Sequence, residues 1–277
     1  KSTANDYFYN AAKGFQVGKK TGIDLPSESS GRLADREWRK SWYEQNKDFY
    51  CNYKKRAPKS QQTAFLVQLA YENCLDGDKI RAGDAVNFSI GQGDTVITPL
   101  KLAQMYAAIG NGGTLWKPTV AKAIVKTDGT VIKQFSPEKL GEIPASKETN
   151  KFLKSALREV VVSGTGAGVF SGFPIAISGK TGTAQVFGKN SNGTQKADTS
   201  WFASFGPSEK PRYAVVMMVS QGGFGASTSG IGVRKIYETL FGVQGSKVVS
   251  AKIIFPSGVP PVGLPKISPA TKVKEAK

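Results

Sequence analysis

The 277-residue chain is long enough for one large domain or two small ones, and its composition, 39% hydrophobic and 21% charged, is typical of a soluble globular protein. It contains no histidine, which excludes a Ser-His-Asp triad, a Cys-His pair and any His-ligated metal site. Acid-base chemistry must then use lysine, hydroxyl groups or carboxylates.

The formal net charge of +17 predicts attraction to polyanions, among which acidic wall polymers, anionic lipid surfaces and nucleic acid are alternatives. No apolar run approaches the roughly 20 residues needed to cross a bilayer. Because the chain opens at Lys1 rather than at a methionine, we expect it to be a fragment of a longer protein.

The first third of the chain is polar and rich in aromatic residues. We predict a short helix within residues 1–15, a loop over 14–31, and a charged, aromatic insertion over 32–82 that contains a helix over 61–72. Cys51 and Cys74 both lie in this insertion, which favours a local disulfide and an oxidising compartment; two unrelated buried thiols are the alternative. Without a histidine partner, two cysteines make a poor metal site.

The middle of the chain has clearer helix and hairpin signals. Thr98 is a good N-cap and Pro99 suits a first helical position, so a helix is predicted over 98–109. A hairpin over 120–125 and 131–135 turns through Asp128-Gly129, and a helix over 146–163 ends at Gly164-Thr165-Gly166.

The last third predicts a sheet. A buried strand leads from Ile175 into Lys180, and further strands over 201–205 and 213–220 are expected to pair antiparallel. A polar loop over 188–199 is predicted between the strand that leads into Lys180 and the strand over 201–205. A helix over 231–240 is expected to pack on the sheet. Residues 243–277 are expected to form a basic, Pro-rich tail.

Polar residues at the end of the first of these strands are suited to binding an anionic peptide. Lys180 provides a cation, Thr181 and Thr183 provide hydroxyls, and Gly182 allows close backbone approach, so a substrate could lie along the strand edge with its carboxylate anchored. The alternative is that Lys180 merely ends a strand and that the threonines are present because threonine favours β-strands. A second copy, Lys20-Thr21-Gly22, follows no strand and is interpreted as structural.

The segment Lys180-Thr181-Gly182-Thr183-Ala184-Gln185 resembles the third signature of penicillin-binding transpeptidases. Other blocks in the same order resemble class B, elongation-type members: Thr21 to Pro26, Ser89 to Gly93, Thr98 to Leu100 and Gly164 to Gly166. The likeness implies an α/β (α+β) fold of the serine β-lactamase type, with an antiparallel sheet flanked by helices. Residues 1–242 would form the C-terminal part of the transpeptidase domain, and the Cys-bearing insertion looks like that of actinobacterial members.

The resemblance implies a peptidoglycan D,D-transpeptidase that works through an acyl-serine intermediate and needs no cofactor. Lys180, Thr3 and Asn5 would be catalytic, and Thr181, Gly182 and Thr183 would bind substrate. Thr3-Ala4-Asn5 occupies the place of the second signature, with threonine where serine is usual. The implied partners are the stem peptide, β-lactams and a membrane glycosyltransferase of the shape, elongation, division and sporulation family. The implied location is the extracytoplasmic face of the membrane, with an N-terminal anchor outside this chain.

The nucleophile of this family lies in a Ser-x-x-Lys motif upstream of the second signature. The literal match here, Ser136-Pro137-Glu138-Lys139, follows the predicted hairpin in the wrong order, and we interpret it as a turn. We therefore expect the nucleophile to lie outside this chain. The alternative function is a catalytically silent module that binds cell wall or a partner protein.

Two other classes fit less well. Gly179-Lys180-Thr181 matches the end of a phosphate-binding P-loop, but the required leading glycine falls at Pro174 and the intervening residues are apolar strand. Nucleic-acid binding is the third class, and no recognition motif accompanies the basic residues.

Overall fold

The computed structural model of the chain describes residues 6–249, which divide into two compact units. Among these residues, the first unit contains 6–19 and 31–97, and the second contains 20–30 and 98–249. Within the described range no helix is long and apolar enough to cross a membrane.

The first unit is helical. Its helices are α1 (Tyr7–Gly14), α2 (Arg36–Cys51), α3 (Tyr53–Arg56), α4 (Ala64–Asp76) and α5 (Ala82–Ser89). The Asp35 side chain caps α2 by accepting from the Trp38 N–H, and the Thr63 hydroxyl caps α4 by accepting from the Leu66 N–H. The predicted helix over 61–72 therefore starts and ends later than expected, because the cap at Thr63 sets its beginning.

The insertion is held together where α2 meets α4. Cys51, the last residue of α2, and Cys74 of α4 are joined by a disulfide. Beside it, the buried Tyr43 donates its hydroxyl to the Cys74 carbonyl at 2.8 Å. The cross-link and this hydrogen bond fix the two helices against each other.

The second unit contains the remaining helices and all the named strands. Its helices are α6 (Pro99–Gly110), α7 (Lys147–Val162), α8 (Ala167–Phe170) and α9 (Ile231–Phe241), with a π-helical turn at Ala226–Gly230. Its strands are β1 (Thr114–Trp116), β2 (Ala123–Val125), β3 (Val131–Gln134), β4 (Lys139–Glu142), β5 (Ser178–Ala184), β6 (Thr199–Gly206), β7 (Tyr213–Val219), β8 (Val243–Gln244) and β9 (Lys247–Val248). Thr98 and Ser146 cap α6 and α7 with their hydroxyls.

The main sheet has the order β5-β6-β7, and both pairings are antiparallel. Thr183 lies opposite Ser200, and Phe202 lies opposite Met217. Among the described residues β5 pairs only with β6, so β5 is an edge strand. The α/β fold with an antiparallel sheet flanked by helices is confirmed.

The core of this unit lies between the sheet and α9. Ile177, Phe202, Val233 and Tyr237 are fully buried, and Val233, Tyr237 and Phe241 recur every fourth residue along α9. Burial of each such side chain contributes about 1.5–3 kcal/mol. Burial also raises the pKa of the Tyr237 phenol, whose oxygen lies 3.1 Å from the Ser204 hydroxyl.

The residues after α9 do not all lie in an irregular tail. Strands β8 and β9 form a small antiparallel hairpin, in which Val243 is buried and joins the core. The predicted tail over 243–277 otherwise lies outside the described residues. The boundaries drawn at 1–242 and 32–82 remain predictions.

Candidate active site

Strand β5 begins inside the core and ends at the surface. Ser178 and Gly179 are buried, and a Cβ added at Gly179 would lie 2.8 Å from the Ala203 carbonyl oxygen and 2.8 Å from the Phe202 ring. From α7, Arg158 donates to the Ile177 carbonyl at 2.9 Å. The start of β5 is thus fixed by close packing, and the residues that follow are presented from a rigid base.

An ammonium and two hydroxyls meet where β5 reaches the surface. The exposed Lys180 donates from Nζ to the Thr181 carbonyl at 2.9 Å and to Thr181 Oγ1 at 3.1 Å. Thr181 Oγ1 in turn lies 2.8 Å from Thr165 Oγ1, which belongs to the link between α7 and α8. Since an ammonium has three donor hydrogens, these contacts leave one to face a bound anion.

The side chain of Thr183 contacts the loop after β7, unlike the side chain of Thr181. Its Oγ1 accepts from the Gly225 N–H at 3.2 Å, which holds the loop after β7 close to β5. A Cβ at Gly225 would lie 2.5 Å from the Gly182 carbonyl oxygen and 2.6 Å from the Trp201 carbonyl oxygen, so this position requires glycine. The Thr183 hydroxyl therefore helps to position a loop, and its role in binding substrate remains a prediction.

Buried serines hold the same loop from β6 and from the π-helical turn. The Ser200 hydroxyl donates to the Phe224 carbonyl at 3.0 Å and accepts from the Ser229 N–H at 3.1 Å. The Ser229 hydroxyl donates to the Ser200 carbonyl at 2.9 Å. Sequence reasoning missed this support, although the glycine-rich run from Gly222 to Gly225 followed by Ser and Thr is a signal for a loop packed closely on a strand.

The structure brings together only some of the residues predicted for the site. Lys180, Thr181, Gly182 and Thr183 lie consecutively on the exposed part of β5. Thr3 and Asn5 lie outside the described residues. Thr165 was noted as part of the block Gly164 to Gly166, which ends a helix and resembles the family, but it was given no role of its own; in the structure it contacts Thr181.

The segment Ser136 to Lys139, which matches Ser-x-x-Lys in sequence, does not form a nucleophile with its base. Ser136 is exposed in a segment of irregular structure between β3 and β4, not in a turn as interpreted from the sequence. Lys139 is the first residue of β4 and pairs with Glu142 at 2.7 Å. The lysine of this match is therefore engaged elsewhere.

The first Lys-Thr-Gly copy supports a loop. Thr21 is buried, and both its N–H and its hydroxyl donate to Glu28 Oε1, at 2.5 and 2.7 Å. Three residues after Thr21, Asp24 accepts from the N–H groups of Val120 and Ala121, at 2.7 and 2.8 Å. These backbone hydrogen bonds lower the pKa of the Asp24 carboxyl. The same tripeptide thus serves two structural contexts in one chain.

The fold and the site together define an edge strand that presents a cation and hydroxyls beside a glycine, an arrangement that suits an extended, anionic peptide. The family model for the penicillin-binding protein transpeptidase domain matches residues 1–238. The chain therefore belongs to the penicillin-binding protein transpeptidase domain family, as its motifs indicated.

Individual relatives agree with this assignment. The chain is 30% identical over 224 residues to the peptidoglycan D,D-transpeptidase MrdA of Acinetobacter baumannii, covering 78% of this chain and 28% of that protein. Its fold is similar to that of Pseudomonas aeruginosa PBP2 in complex with WCK 5153, with a TM-score of 0.58, 25% identity, and coverage of 90% of this chain and 49% of the other. The PBP2 of Helicobacter pylori, solved in complex with MreC, shares the fold at a TM-score of 0.57 with 24% identity over 84% of this chain and 38% of the other.

The chain spans about a quarter to a third of the length of the curated relatives it matches. The likeness of its Cys-bearing insertion to that of actinobacterial members remains a prediction.

Proposed function

We propose that this chain supplies the carboxylate-binding side of a peptidoglycan D,D-transpeptidase site. The observation that carries the proposal is the cluster of Lys180 Nζ, Thr181 Oγ1 and Thr165 Oγ1 on the exposed edge of β5. A cation with adjacent hydroxyls, fixed on a strand that can pair with an extended peptide, suits a substrate that ends in a carboxylate.

In the proposed reaction a serine oxygen attacks the penultimate D-Ala carbonyl of a stem peptide. The peptide bond to the terminal D-Ala breaks, that residue leaves with a proton on its amine, and the acyl group remains on the serine. The amine of a neighbouring stem peptide then attacks the ester, which forms the cross-link and returns the serine hydroxyl.

Each β5 residue has a part in this scheme. Lys180 and Thr181 bind the terminal carboxylate, and Lys180 assists proton transfer near the second signature, to which Thr3 and Asn5 belong. Gly182 has no side chain to keep a peptide backbone away from the strand, and a Cβ at this position would also lie only 3.0 Å from the Trp201 Cβ on β6. The backbone N–H of Thr183 is one donor to the oxyanion, and loss of one such donor costs on the order of 100- to 1,000-fold in rate.

The attacking serine is proposed to belong to a Ser-x-x-Lys segment that this sequence does not include. The length of the relatives supports this, since the match covers only 28% of the Acinetobacter baumannii MrdA. A protein of this kind would act at the extracytoplasmic face of the membrane, held there by an N-terminal segment, and the disulfide between Cys51 and Cys74 suits such an oxidising compartment.

The proposed partners follow from the similar proteins and from the family. The stem peptide is the substrate and β-lactams are the covalent inhibitors. MreC, which is bound to the similar PBP2 of Helicobacter pylori, is a candidate partner for this protein as well. A membrane glycosyltransferase of the shape, elongation, division and sporulation family would supply the glycan strands.

Covalent labelling tests the proposal. The complete gene product would be treated with fluorescent penicillin as wild type, as Lys180→Ala, and as the control Lys189→Ala, which removes an exposed lysine from the loop that follows β5. We expect Lys180→Ala to slow labelling by about 10- to 100-fold, the value of a hydrogen bond to a charged group, and the control to label like wild type.

Equal labelling of wild type and Lys180→Ala would remove Lys180 from the mechanism. If the folded wild-type protein is not labelled at all, the acyl-serine scheme fails, and a module that binds cell wall or a partner protein becomes the better description.

A further inference from the structure

A groove in the first unit lies beside the disulfide. We call it the tyrosine groove, because Tyr50, Tyr53 and Tyr71 line it; its volume is about 530 Å³. One wall is formed by the end of α2 and by α3, and the other wall by α4. Cys51 and Cys74 also line the groove, so their disulfide joins the two walls. A groove of this size is large enough for a ligand of several rings.

Two of the three tyrosine rings are held in place by their neighbours. The Tyr53 hydroxyl donates to the Gln61 carbonyl at 2.9 Å, and the Tyr50 ring packs against Trp42 with ring centroids 5.4 Å apart. Tyr71, on α4, is 58% exposed. Flat rings in fixed positions suit a ligand with flat apolar faces, because little side-chain entropy is lost when it binds.

The polar groups of the groove are cations and amide acceptors. Lys54 and Lys55 are exposed, and neither forms an ion pair within residues 6–249. Asn52 and Gln68 donate from their amide nitrogens to carboxylates, at 2.8 and 3.0 Å, and no hydrogen bond among the described residues uses either amide oxygen. None of the described residues that line the groove is acidic. The groove thus offers charged donors to an anion and acceptors to O–H or N–H groups.

Rings, amide oxygens and lysines together fit a polysaccharide that carries acetamido and carboxylate groups. A pyranose ring has apolar C–H faces that pack on tyrosine rings, and its hydroxyl and acetamido groups donate to amide oxygens. Carboxylates pair with the two lysines. Single-stranded nucleic acid also stacks on aromatic rings beside cations, but the disulfide indicates an oxidising compartment, where nucleic acid is not the expected ligand.

We propose that the tyrosine groove binds a wall glycan, a strand of N-acetylated sugars in which alternate sugars carry a free lactyl carboxylate. Peptidoglycan has this chemistry wherever its stem peptides have been removed. The choice of this glycan rests on the proposed function, since a transpeptidase of the wall works beside such strands. The groove contains none of the β5 residues, so glycan binding there is separate from acyl transfer and would keep the enzyme on wall material between reactions.

Binding of fluorescently labelled glycan strands without stem peptides to the complete gene product tests the proposal. Tyr71→Ala removes the exposed ring of the groove, and the control Phe65→Ala removes an exposed ring of the same helix that does not line the groove. We expect Tyr71→Ala to weaken binding about 3- to 10-fold, the value of an aromatic contact, and Phe65→Ala to bind like wild type. Equal binding by the two variants would remove Tyr71 from the site and overturn the proposal.

A second pair of variants tests the cations. Lys54→Gln/Lys55→Gln removes two charges from the groove, and Lys122→Gln/Lys126→Gln removes the same charge from exposed positions at the β2–β3 hairpin. We expect the groove variant to bind about 3- to 10-fold more weakly with a smaller salt dependence, and the control to stay within about twofold of wild type. Equal weakening by both, with unchanged thermal unfolding, would show that overall charge drives binding and would overturn the proposal.

Three competitors identify the ligand chemistry. Chitin oligosaccharides carry acetamido groups without carboxylates, and polygalacturonate carries carboxylates without acetamido groups, so each is expected to compete less well than unlabelled glycan strands of equal length. Equal competition by either would overturn the assignment of this glycan. An oligothymidylate is also expected to compete less well, and its preferential binding would replace the proposal with nucleic-acid binding.

Labelling with fluorescent penicillin separates this proposal from the transpeptidase proposal. Tyr71→Ala should label at the wild-type rate, because the groove takes no part in acylation. If wild type binds strands through the groove but is not labelled, the transpeptidase proposal fails alone. If wild type is labelled but the Tyr71 and lysine variants bind strands as it does, the glycan proposal fails alone.

Discussion

At the scale of single residues, the contact between Thr165 and Thr181 links two motifs that are separate in the sequence. Thr181 Oγ1 lies between Lys180 Nζ and Thr165 Oγ1, so its hydrogen can point to only one acceptor at a time. Since Lys180 can only donate, Thr181 accepts from it and is able to donate to Thr165 or to a substrate. Thr165 is therefore a positioning residue for the β5 cluster.

This role predicts a difference between two substitutions at Thr165. Thr165→Val removes the hydroxyl but keeps the shape, and we expect it to slow labelling by fluorescent penicillin about 2- to 10-fold, the value of one neutral hydrogen bond. Thr165→Ser keeps the hydroxyl and should label at close to the wild-type rate. Labelling rates and thermal unfolding should be measured together on the complete gene product.

A purely structural role for Thr165 would have a different signature. In that case Thr165→Val would lower the unfolding temperature. The labelling rate of the folded protein would stay unchanged, because Thr165 is exposed and lies outside β5.

At the scale of elements, the loop over 20–30 is attached to the β2 region by one carboxylate. Asp24 accepts from two consecutive backbone N–H groups, and this lowers its folded pKa below the usual value of 3.8. A carboxyl whose pKa is lower in the folded state stabilises the fold at pH values above its unfolded pKa. That stability is lost as the pH falls through the folded pKa.

We therefore predict a pH-dependent effect of Asp24→Asn. The variant should have a lower urea midpoint than wild type at pH 7, because a neutral amide replaces the ionised acceptor. The difference should shrink as the pH falls below 3.8 and through the lower folded pKa, where the wild-type carboxyl becomes protonated in the folded state as well. Asp198→Asn is the control, since the Asp198 side chain makes no hydrogen bond in the described residues of the same unit. An Asp24→Asn difference that is independent of pH would contradict the assignment.

Local signals predicted the elements of the second unit better than those of the first. Thr98, Pro99 and Ser146 are strong helix-start signals, and Asp128-Gly129 is a strong hairpin signal, so these elements form where expected. Helix α2 was not predicted, because its aromatic residues are mixed with charged ones and give no clear apolar stripe. Its signal was the N-cap at Asp35, together with Trp38 and Trp42 four residues apart and stacked at 5.8 Å.

At the scale of the whole molecule, the disulfide stabilises the first unit and leaves the sheet that carries the candidate site outside the cross-linked loop. Cys51 and Cys74 are separated by 23 residues in sequence. Closing a loop of this length stabilises the folded state by about 3 kcal/mol in the chain-entropy account.

We predict that Cys51→Ala/Cys74→Ala makes amide hydrogens in α2 and α4 exchange faster, by an amount that corresponds to about 3 kcal/mol. Amides in β6 should be much less affected, and reductant should have no further effect on the double variant. Hydrogen exchange followed by mass spectrometry resolves these segments. Equal acceleration in α4 and β6 would show that the chain unfolds as one cooperative body.

The amino-acid sequence by itself determined the family, the class of chemistry and the position of the β5 motif. The absence of histidine limits the chemistry, and Lys180 to Gln185 follows a strand whose apolar pattern is local, so both can be seen without coordinates. The tertiary structure decided which copy of Lys-Thr-Gly is exposed, which hydroxyl meets Lys180, and how the Thr183 side chain is used. These depend on contacts between residues far apart in sequence, such as Thr183 with Gly225, and on which edge of the sheet stays open, and no local propensity encodes either.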